Sequence, residues 1–145
     1  MIALIQRVNW AQVHIDSTLH ADIGQGLLAL IGIEKEDDDK LAKKLLDKIL
    51  AYRIFADSDD KMNFDLKDIG GDLMLVSQFT LAAETQKGLR PGFSSAKPPA
   101  QAEVIYDKLV QSAEDQHEFV RSGKFGADMQ VSLENDGPVT FILKV

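Results

Sequence analysis

Cysteine is absent from the 145-residue chain, which excludes disulfides, thiol nucleophiles and thiolate metal sites. Only three histidines are present, His14, His20 and His117, and they are not spaced as metal ligands sharing one face. We therefore expect no metal ion and no other cofactor. No apolar run reaches the roughly 18 residues of a membrane span, so no membrane partner is expected. The first residues resemble a strand rather than a basic leader before a long apolar core, which predicts a cytoplasmic protein.

Basic residues are outnumbered, since 16 Lys and Arg face 23 Asp and Glu, a net charge of −7. This balance disfavours a partner held through many phosphates, because such proteins usually carry a basic patch. Residues 85–99 are the exception, with Lys87, Arg90 and Lys97 and no acidic residue. The segment either holds the end of a nucleic acid or is a chance cluster on a solvated surface.

The patterns that are present predict one α+β domain spanning residues 1–145. One helix is predicted to start at the acidic cluster 37–39, and a second at Pro98–Pro99. About seven strands are expected. They are consecutive at both ends of the chain, and the helices are separated from each other, which favours a mostly antiparallel sheet.

Three connections stand out between these elements. Residues 57–72 form a polar loop, and residues 82–99 form a long Gly-, Pro- and Ser-rich connection of the kind that is often functional. Apolar residues alternate at 129–133 and again at 139–145, which predicts two strands. Residues 135–138, with the sequence Asn-Asp-Gly-Pro, are predicted to join these strands as a tight hairpin.

Two polar motifs lie at the ends of predicted strands. The apolar strand 73–76 runs into residues 77–80, where hydroxyl and amide side chains emerge at a sheet rim and backbone amides can face an oxyanion. Gly137–Pro138 occupies a turn whose proline cannot donate a hydrogen bond and whose carbonyls are left free. Taken separately, each motif is also explained by ordinary strand-cap or turn chemistry.

Taken together, SQFTL at 77–81 and NDGPVT at 135–140 resemble the paired signature motifs of the D-aminoacyl-tRNA deacylases. Four further segments are similar to the family pattern and follow in the same order: Gln6-Arg7-Val8, Arg53-Ile54-Phe55, KGLRPGF at 87–93 and GKFGADM at 123–129. The segment 57–65 departs from the pattern, because it lacks a glycine before Lys61, but it lies in the polar loop away from the motifs.

The resemblance implies a layered α/β/β fold with both main helices packed on one side. It also implies hydrolysis of the ester that joins a D-amino acid to the 3′ end of tRNA, with glycyl-tRNA accepted as well. The implied assembly is a homodimer with sites at the subunit interface. Gly137–Pro138, with a cis peptide bond between them, would reach from one subunit into the site of the other and exclude L side chains.

The resemblance also suggests roles for individual residues. Ser77 and Gln78 would line the pocket, and the amides of Phe79 and Thr80 would form an oxyanion hole. Thr80 is a candidate nucleophile, but no histidine lies near it in the sequence to activate it, so the 2′-hydroxyl of the substrate is the favoured alternative. The remaining candidates are Arg7, which would brace the Gly-Pro turn, Phe125 and Met129, which would pack around the adenosine or its ester, and Lys87 and Arg90, which would contact the acceptor end.

Two functions from other classes remain open. One is a non-catalytic nucleic-acid-binding module with the same fold, and the other is an esterase that uses Thr80 as its nucleophile. The first would be marked by erosion of the two motifs, and the second requires a general base that the sequence does not supply.

Overall fold

The computed structural model of the chain describes residues 1–145. Its elements, in order, are β1 (Ile2–Ile15), β2 (Thr18–Ile23), β3 (Gly26–Gly32), α1 (Asp39–Leu50), β4 (Phe55–Ala56), β5 (Met62–Phe64), β6 (Asp72–Ser77), a 3₁₀ helix η1 (Phe79–Ala82), α2 (Pro99–Gln116), β7 (Val120–Ser122) and β8 (Gln130–Lys144).

Both helices begin where the sequence predicts. Asp38 caps α1, because its carboxylate accepts the N–H of Leu41 at 2.9 Å, and Asp39 adds negative charge in the first turn. Pro99 opens α2 at a position where a helix needs no N–H donor. Neither helix is long and apolar enough to cross a membrane.

The main sheet has the strand order β2-β1-β3-β6-β7, in which β2 and β3 pair with different halves of β1. Strand β8 lies off this path and pairs along nearly the whole of β1. Strand β1 is antiparallel to β2, β3 and β8, whereas β3, β6 and β7 run parallel to one another. The α+β fold is therefore confirmed, with a parallel portion that the sequence did not indicate. That portion is possible because α1 connects β3 to β6, and α2 connects β6 to β7.

The central strands are buried on both faces, as their continuous apolar runs predict. Successive side chains point to opposite faces, so Leu27 and Ile31 of β3 join the core beneath both helices, while Leu28 joins a second core. The second core is closed by β2 and the far half of β1, through residues such as Val13 and Ile23. The layers are therefore helices, main sheet and folded-over strands, which confirms the expected α/β/β arrangement.

The hairpin predicted at residues 135–138 is wrong. Strand β8 continues through this segment and stays antiparallel to β1 on both sides of it. Gln6 pairs with Thr140 and Val8 with Asn135, so residues 136–139 stand opposite Arg7 alone. The turn-forming residues therefore make a wide bulge in one strand, closed by the N–H of Val139 donating to Asn135 Oδ1 at 2.7 Å.

Short strands were missed by the sequence analysis for a common reason. The polar loop 57–72 contains part of the β4–β5 hairpin, and β7 and β2 have no long apolar alternation. Each is too short for its pattern to show in the sequence, since β2 has six residues and β4, β5 and β7 have two or three. Strands β2 and β4 pair with their chain neighbours β1 and β5, whereas β7 pairs with β6, from which α2 separates it in the chain. The connection 82–99, in contrast, has no helix or strand after the last residue of η1 and before Pro99, as predicted.

Candidate active site

The SQFTL motif lies where parallel strands β3 and β6 end together. Ser77 pairs with Ile31, and the N–H of Gln78 donates to the Ile31 carbonyl at 2.7 Å before the chain turns into η1. The 3₁₀ helix packs directly on Gly32, where an added Cβ would lie 2.8 Å from Cβ of Leu81. Gly32 therefore supports the motif. Its signal in the sequence was a glycine inside an apolar strand, which often marks a close backbone approach.

Thr80 is exposed, and its hydroxyl accepts a hydrogen bond from Nε2 of Gln78 at 2.6 Å. An amide cannot remove a proton from that hydroxyl, so this contact orients Thr80 without activating it. The nearest histidine in sequence, His117, is hydrogen-bonded to the carbonyl of Gly71. Gly71 precedes the first residue of β6, whereas Thr80 follows the last, so His117 lies at the other end of this strand. Phe79 and Thr80 are the first residues of a 3₁₀ helix, so their N–H groups have no acceptor inside it.

The connection 82–99 folds back beside η1. The backbones of Glu84 and Gly92 exchange hydrogen bonds of 2.8 and 3.1 Å, and the hydroxyl of Ser95 donates to the carbonyl of Ala82. This arrangement brings the Phe93 ring against Phe79, with ring centroids 5.1 Å apart. Both rings stay exposed at the mouth of the motif.

The basic cluster in this connection has two different parts. Lys97 donates through Nζ to the Lys35 carbonyl at 2.7 Å, so it ties the connection to the body of the protein. Lys87 and Arg90 are exposed near the tip and form no ion pair within the chain. These two cations are therefore free to bind a ligand.

The segment 123–129 reaches the same end of β6 from the other side. The N–H of Gly123 donates to the Leu75 carbonyl at 2.8 Å. Phe125 lies 5.9 Å from Tyr106, between ring centroids, on the helix side of the sheet. Met129 packs against the second core, on the opposite side. Phe125 and Met129 therefore lie on opposite faces of the sheet near the end of β6, each packed against a different hydrophobic core.

Tyr106 of α2 holds this end of the sheet in place. Its hydroxyl donates to the Leu75 carbonyl at 2.9 Å, and burial raises its pKa, so it remains a protonated donor. A groove of about 270 Å³ lies beside it, between α2 and residues 122–125. The groove is lined by the carboxylates of Glu103, Asp107 and Glu114, which disfavour a phosphate-bearing ligand.

The Gly137–Pro138 bulge is held by Arg7. The side chain of Arg7 is nearly buried, and its Nε lies 3.1 Å from both the carbonyl and the carboxylate of Asp136, while Nη1 donates to the Ile54 carbonyl at 2.9 Å. The Gly137–Pro138 peptide is cis, and both residues are exposed. The tip is thus fastened at its base and open at its end.

The two motifs do not meet within one chain. Gln78 lies beside Ile31, which pairs with Ala3, whereas the bulge lies beside Arg7, four residues further along β1. Four residues span ~13 Å and the three strand spacings from β8 to β6 span ~14 Å, so the motifs are roughly 20 Å apart. The structure therefore brings Phe93 against the Ser77–Thr80 segment and leaves Gly137–Pro138 elsewhere.

Proteins that are similar to this chain in sequence share one description. The chain matches the family described as D-Tyr-tRNA(Tyr) deacylase over residues 4–144. It is 59% identical over 144 residues to the D-aminoacyl-tRNA deacylase of Stutzerimonas stutzeri, covering 99% of both chains. It is 58% identical over 145 residues to the protein of that name from Pseudoalteromonas translucida, covering 100% of both.

Two solved structures share the fold. One, described as a c-Myc DNA unwinding element binding protein, superposes with a TM-score of 0.96 and 37% identity, covering 100% of this chain and 99% of the other. The second, a probable eukaryotic D-amino acid tRNA deacylase, has a TM-score of 0.85 at 14% identity, covering 99% and 98%, and shows the fold alone. From the match over nearly its whole length, the chain belongs to the D-Tyr-tRNA(Tyr) deacylase family, which includes the D-aminoacyl-tRNA deacylases.

Proposed function

We propose that this protein hydrolyses the ester between a D-amino acid and the 3′ end of tRNA, and so removes wrong-handed amino acids from translation in the cytoplasm. The observation that carries the proposal is that both signature motifs are intact, with Thr80 and Gly137–Pro138 exposed, in a chain 59% identical to a protein named D-aminoacyl-tRNA deacylase. The products are the free amino acid and tRNA.

The chemistry follows from what contacts Thr80. No base touches its hydroxyl, so a water molecule is the better nucleophile, and the substrate's 2′-hydroxyl beside the ester is available to orient it. The water oxygen attacks the ester carbonyl, the bond from that carbon to the ribose 3′-oxygen breaks, and the 3′-oxygen takes a proton. The N–H groups of Phe79 and Thr80 stabilise the oxyanion, while Ser77 and Gln78 line the pocket.

A homodimer would complete the site. The separation of roughly 20 Å within one chain supports a Gly137–Pro138 tip that acts on the partner subunit's Thr80 region. The sheet face turned away from the helices supports it too, because Leu4 pairs there with both Leu30 and Ile142, and Ile142 is 63% exposed. Uncovered apolar side chains on neighbouring strands are typical of a protein interface.

Chirality would be read by exclusion. The free carbonyls of a fastened Gly-Pro tip can accept hydrogen bonds from the α-amino group of the substrate, and the same wall leaves no room for an L side chain. Phe125 and Met129 would pack around the terminal adenosine or its ester. Glycine has no side chain to exclude, so glycyl-tRNA should also be hydrolysed.

Gly137→Ala is expected to lower kcat/KM on a D-aminoacyl-tRNA about ten-fold or more while the protein stays folded. Gly137 has φ of +131°, and an added Cβ would lie 2.5 Å from Cγ2 of Val139 and 3.3 Å from Arg7 Nη2, so the tip must shift. A misplacement of about 1 Å can cost a hundred-fold in rate. Gly70→Ala is the matched control, because Gly70 also has positive φ, nothing lies near its Cβ position, and it lies in the polar loop 57–72 before the start of β6.

Mixed dimers test whether the tip acts on the partner. A Gly137→Ala chain and a Gln78→Ala chain should both be weak alone, and their mixture should regain activity, because each mixed dimer holds one site with both motifs unchanged. A mixture no more active than the average of its parents would show that the tip serves its own chain.

The proposed function is tested by following ester loss from matched D- and L-aminoacyl-tRNAs. We expect rapid loss of the D-ester and almost none of the L-ester. Equal rates on both esters would indicate a non-selective esterase. No loss of either would favour the rival supported by the solved relative described as DNA-binding, namely a nucleic-acid-binding module without turnover.

A further inference from the structure

Two phenylalanines beside the SQFTL motif expose their rings to solvent. Phe79 is 60% exposed and Phe93 is 44% exposed, yet their rings pack against each other at 5.1 Å with an interplanar angle of 52°. Leu89, at the tip of the same connection, is fully exposed. The core gains little from rings placed in this way, so their outer faces are available to a ligand with a flat apolar surface.

The loop that leads into Phe93 carries two positive charges on an otherwise acidic protein. Lys87 and Arg90 lie between Phe79 and Phe93 in the folded-back connection and form no ion pair. The nearest acidic residue in this connection, Glu84, accepts the N–H of Gln86 at 2.6 Å. Exposed aromatic rings beside unpaired cations are the combination with which proteins bind single-stranded nucleic acids, through stacked bases and contacted phosphates.

We infer that Phe79 and Phe93 form a stacking platform for the unpaired base of the nucleotide on the 5′ side of the ester-bearing adenosine, with Lys87 and Arg90 at the neighbouring phosphates. The inference rests on the proposed function, because that function sets the ester at Thr80. Phe79 is the residue before Thr80, so the platform lies within about one nucleotide of the ester. The terminal adenosine is left to the segment 123–129, which flanks the other side of β6.

Direct binding tests the platform without requiring catalysis. The probe is a cytidine-cytidine-adenosine trinucleotide that carries a D-amino acid through a non-hydrolysable 3′ amide and has 2-aminopurine in place of the middle base. Wild-type protein and Phe93→Tyr should quench its fluorescence, because both keep two rings. Phe93→Leu should lose most of the quenching and bind about ten-fold more weakly, in line with the loss of one stacked ring.

Kinetics and salt dependence provide the second arm. Phe93→Leu should lose about ten-fold more kcat/KM on a D-aminoacyl-tRNA than on a D-aminoacyl-adenosine, which lacks the stacked nucleotide. Each phosphate contributes about −0.7 to the slope of log affinity against log salt for single strands, so wild type should show about −1.4. The double variant Lys87→Ala, Arg90→Ala should flatten that slope.

Three results would overturn the platform. The first is normal quenching by Phe93→Leu, and the second is quenching only when 2-aminopurine replaces the terminal base. The third is normal probe binding by a Phe93→Leu protein that has lost its dimer, which would mean that a second copy covers the rings. Quenching by wild type without hydrolysis of the matching ester would instead contradict the proposed function and leave the platform supported.

Discussion

A D-aminoacyl-tRNA whose terminal ribose lacks the 2′-hydroxyl should be hydrolysed about a hundred-fold more slowly than the normal substrate. Thr80 Oγ1 is hydrogen-bonded to the Gln78 amide and to no base, so the protein does not itself activate a nucleophile there. The substrate hydroxyl beside the ester then has to orient the attacking water, and loss of one positioned catalytic group typically costs ~10²–10⁴-fold in rate. Single-turnover rates on the two substrates measure the effect.

Thr80→Ala is the companion measurement, and we expect it to keep a substantial fraction of activity, because the backbone N–H of residue 80 survives the change. Thr80→Ser should behave like wild type. An inactive Thr80→Ala protein, together with an acyl-enzyme trapped at Thr80 in the wild type, would replace the substrate-assisted route with a covalent one.

Asp37→Ala is expected to destabilise the fold by about 3 kcal/mol. Asp37 is the one charged residue buried in the structure. Its Oδ1 lies 2.8 Å from the amino group of Met1, whose side chain is fully buried, and its Oδ2 accepts the Glu34 N–H at 2.6 Å. Removing the carboxylate leaves a buried cation without its main partner, an arrangement that costs ~3–5 kcal/mol.

Glu34→Ala is the matched control. The Glu34 carboxylate lies 2.9 Å from the same amino group but is 42% exposed, so its loss should cost at most about 1 kcal/mol. For a chain of this size, ~3 kcal/mol corresponds to a fall in Tm of about 6–12 °C. Thermal unfolding of the two variants beside wild type provides the comparison, and equal small shifts would show that water replaces Asp37 at the amino group.

Much of the fold could be predicted from local chemistry. Asp38 and Pro99 stand at helix starts because a cap and a missing N–H are needs of a few adjacent residues, which sequence displays directly. The same holds for the doubly buried strands, whose apolar runs reflect two covered faces. Parallel pairing of β3 with β6 was not visible, because paired residues such as Gly26 and Asp72 lie 46 positions apart and nothing in either strand encodes direction.

The Asn135–Pro138 segment shows most clearly where local chemistry stops being sufficient. The Asn-Asp-Gly-Pro sequence interrupts regular strand pairing, and both a hairpin and a bulge provide such an interruption. The bulge forms because β1 is a single strand of 14 residues, long enough to pair with both halves of β8. Arg7 of β1 also holds Asp136 of the neighbouring β8 through a hydrogen bond to its carbonyl.

The candidate site divides in the same way. The sequence alone determined the family, through the motifs SQFTL and NDGPVT, and also the two helices, and it predicts which residues carry the chemistry. Only the tertiary structure decided that Gly32 supports η1, that Lys97 is tied to Lys35, that Phe93 stacks on Phe79, and that the two motifs lie roughly 20 Å apart in one chain. Motifs reflect the backbone geometry that a few neighbouring residues need, whereas distances between them depend on strand order and register, which long-range packing sets.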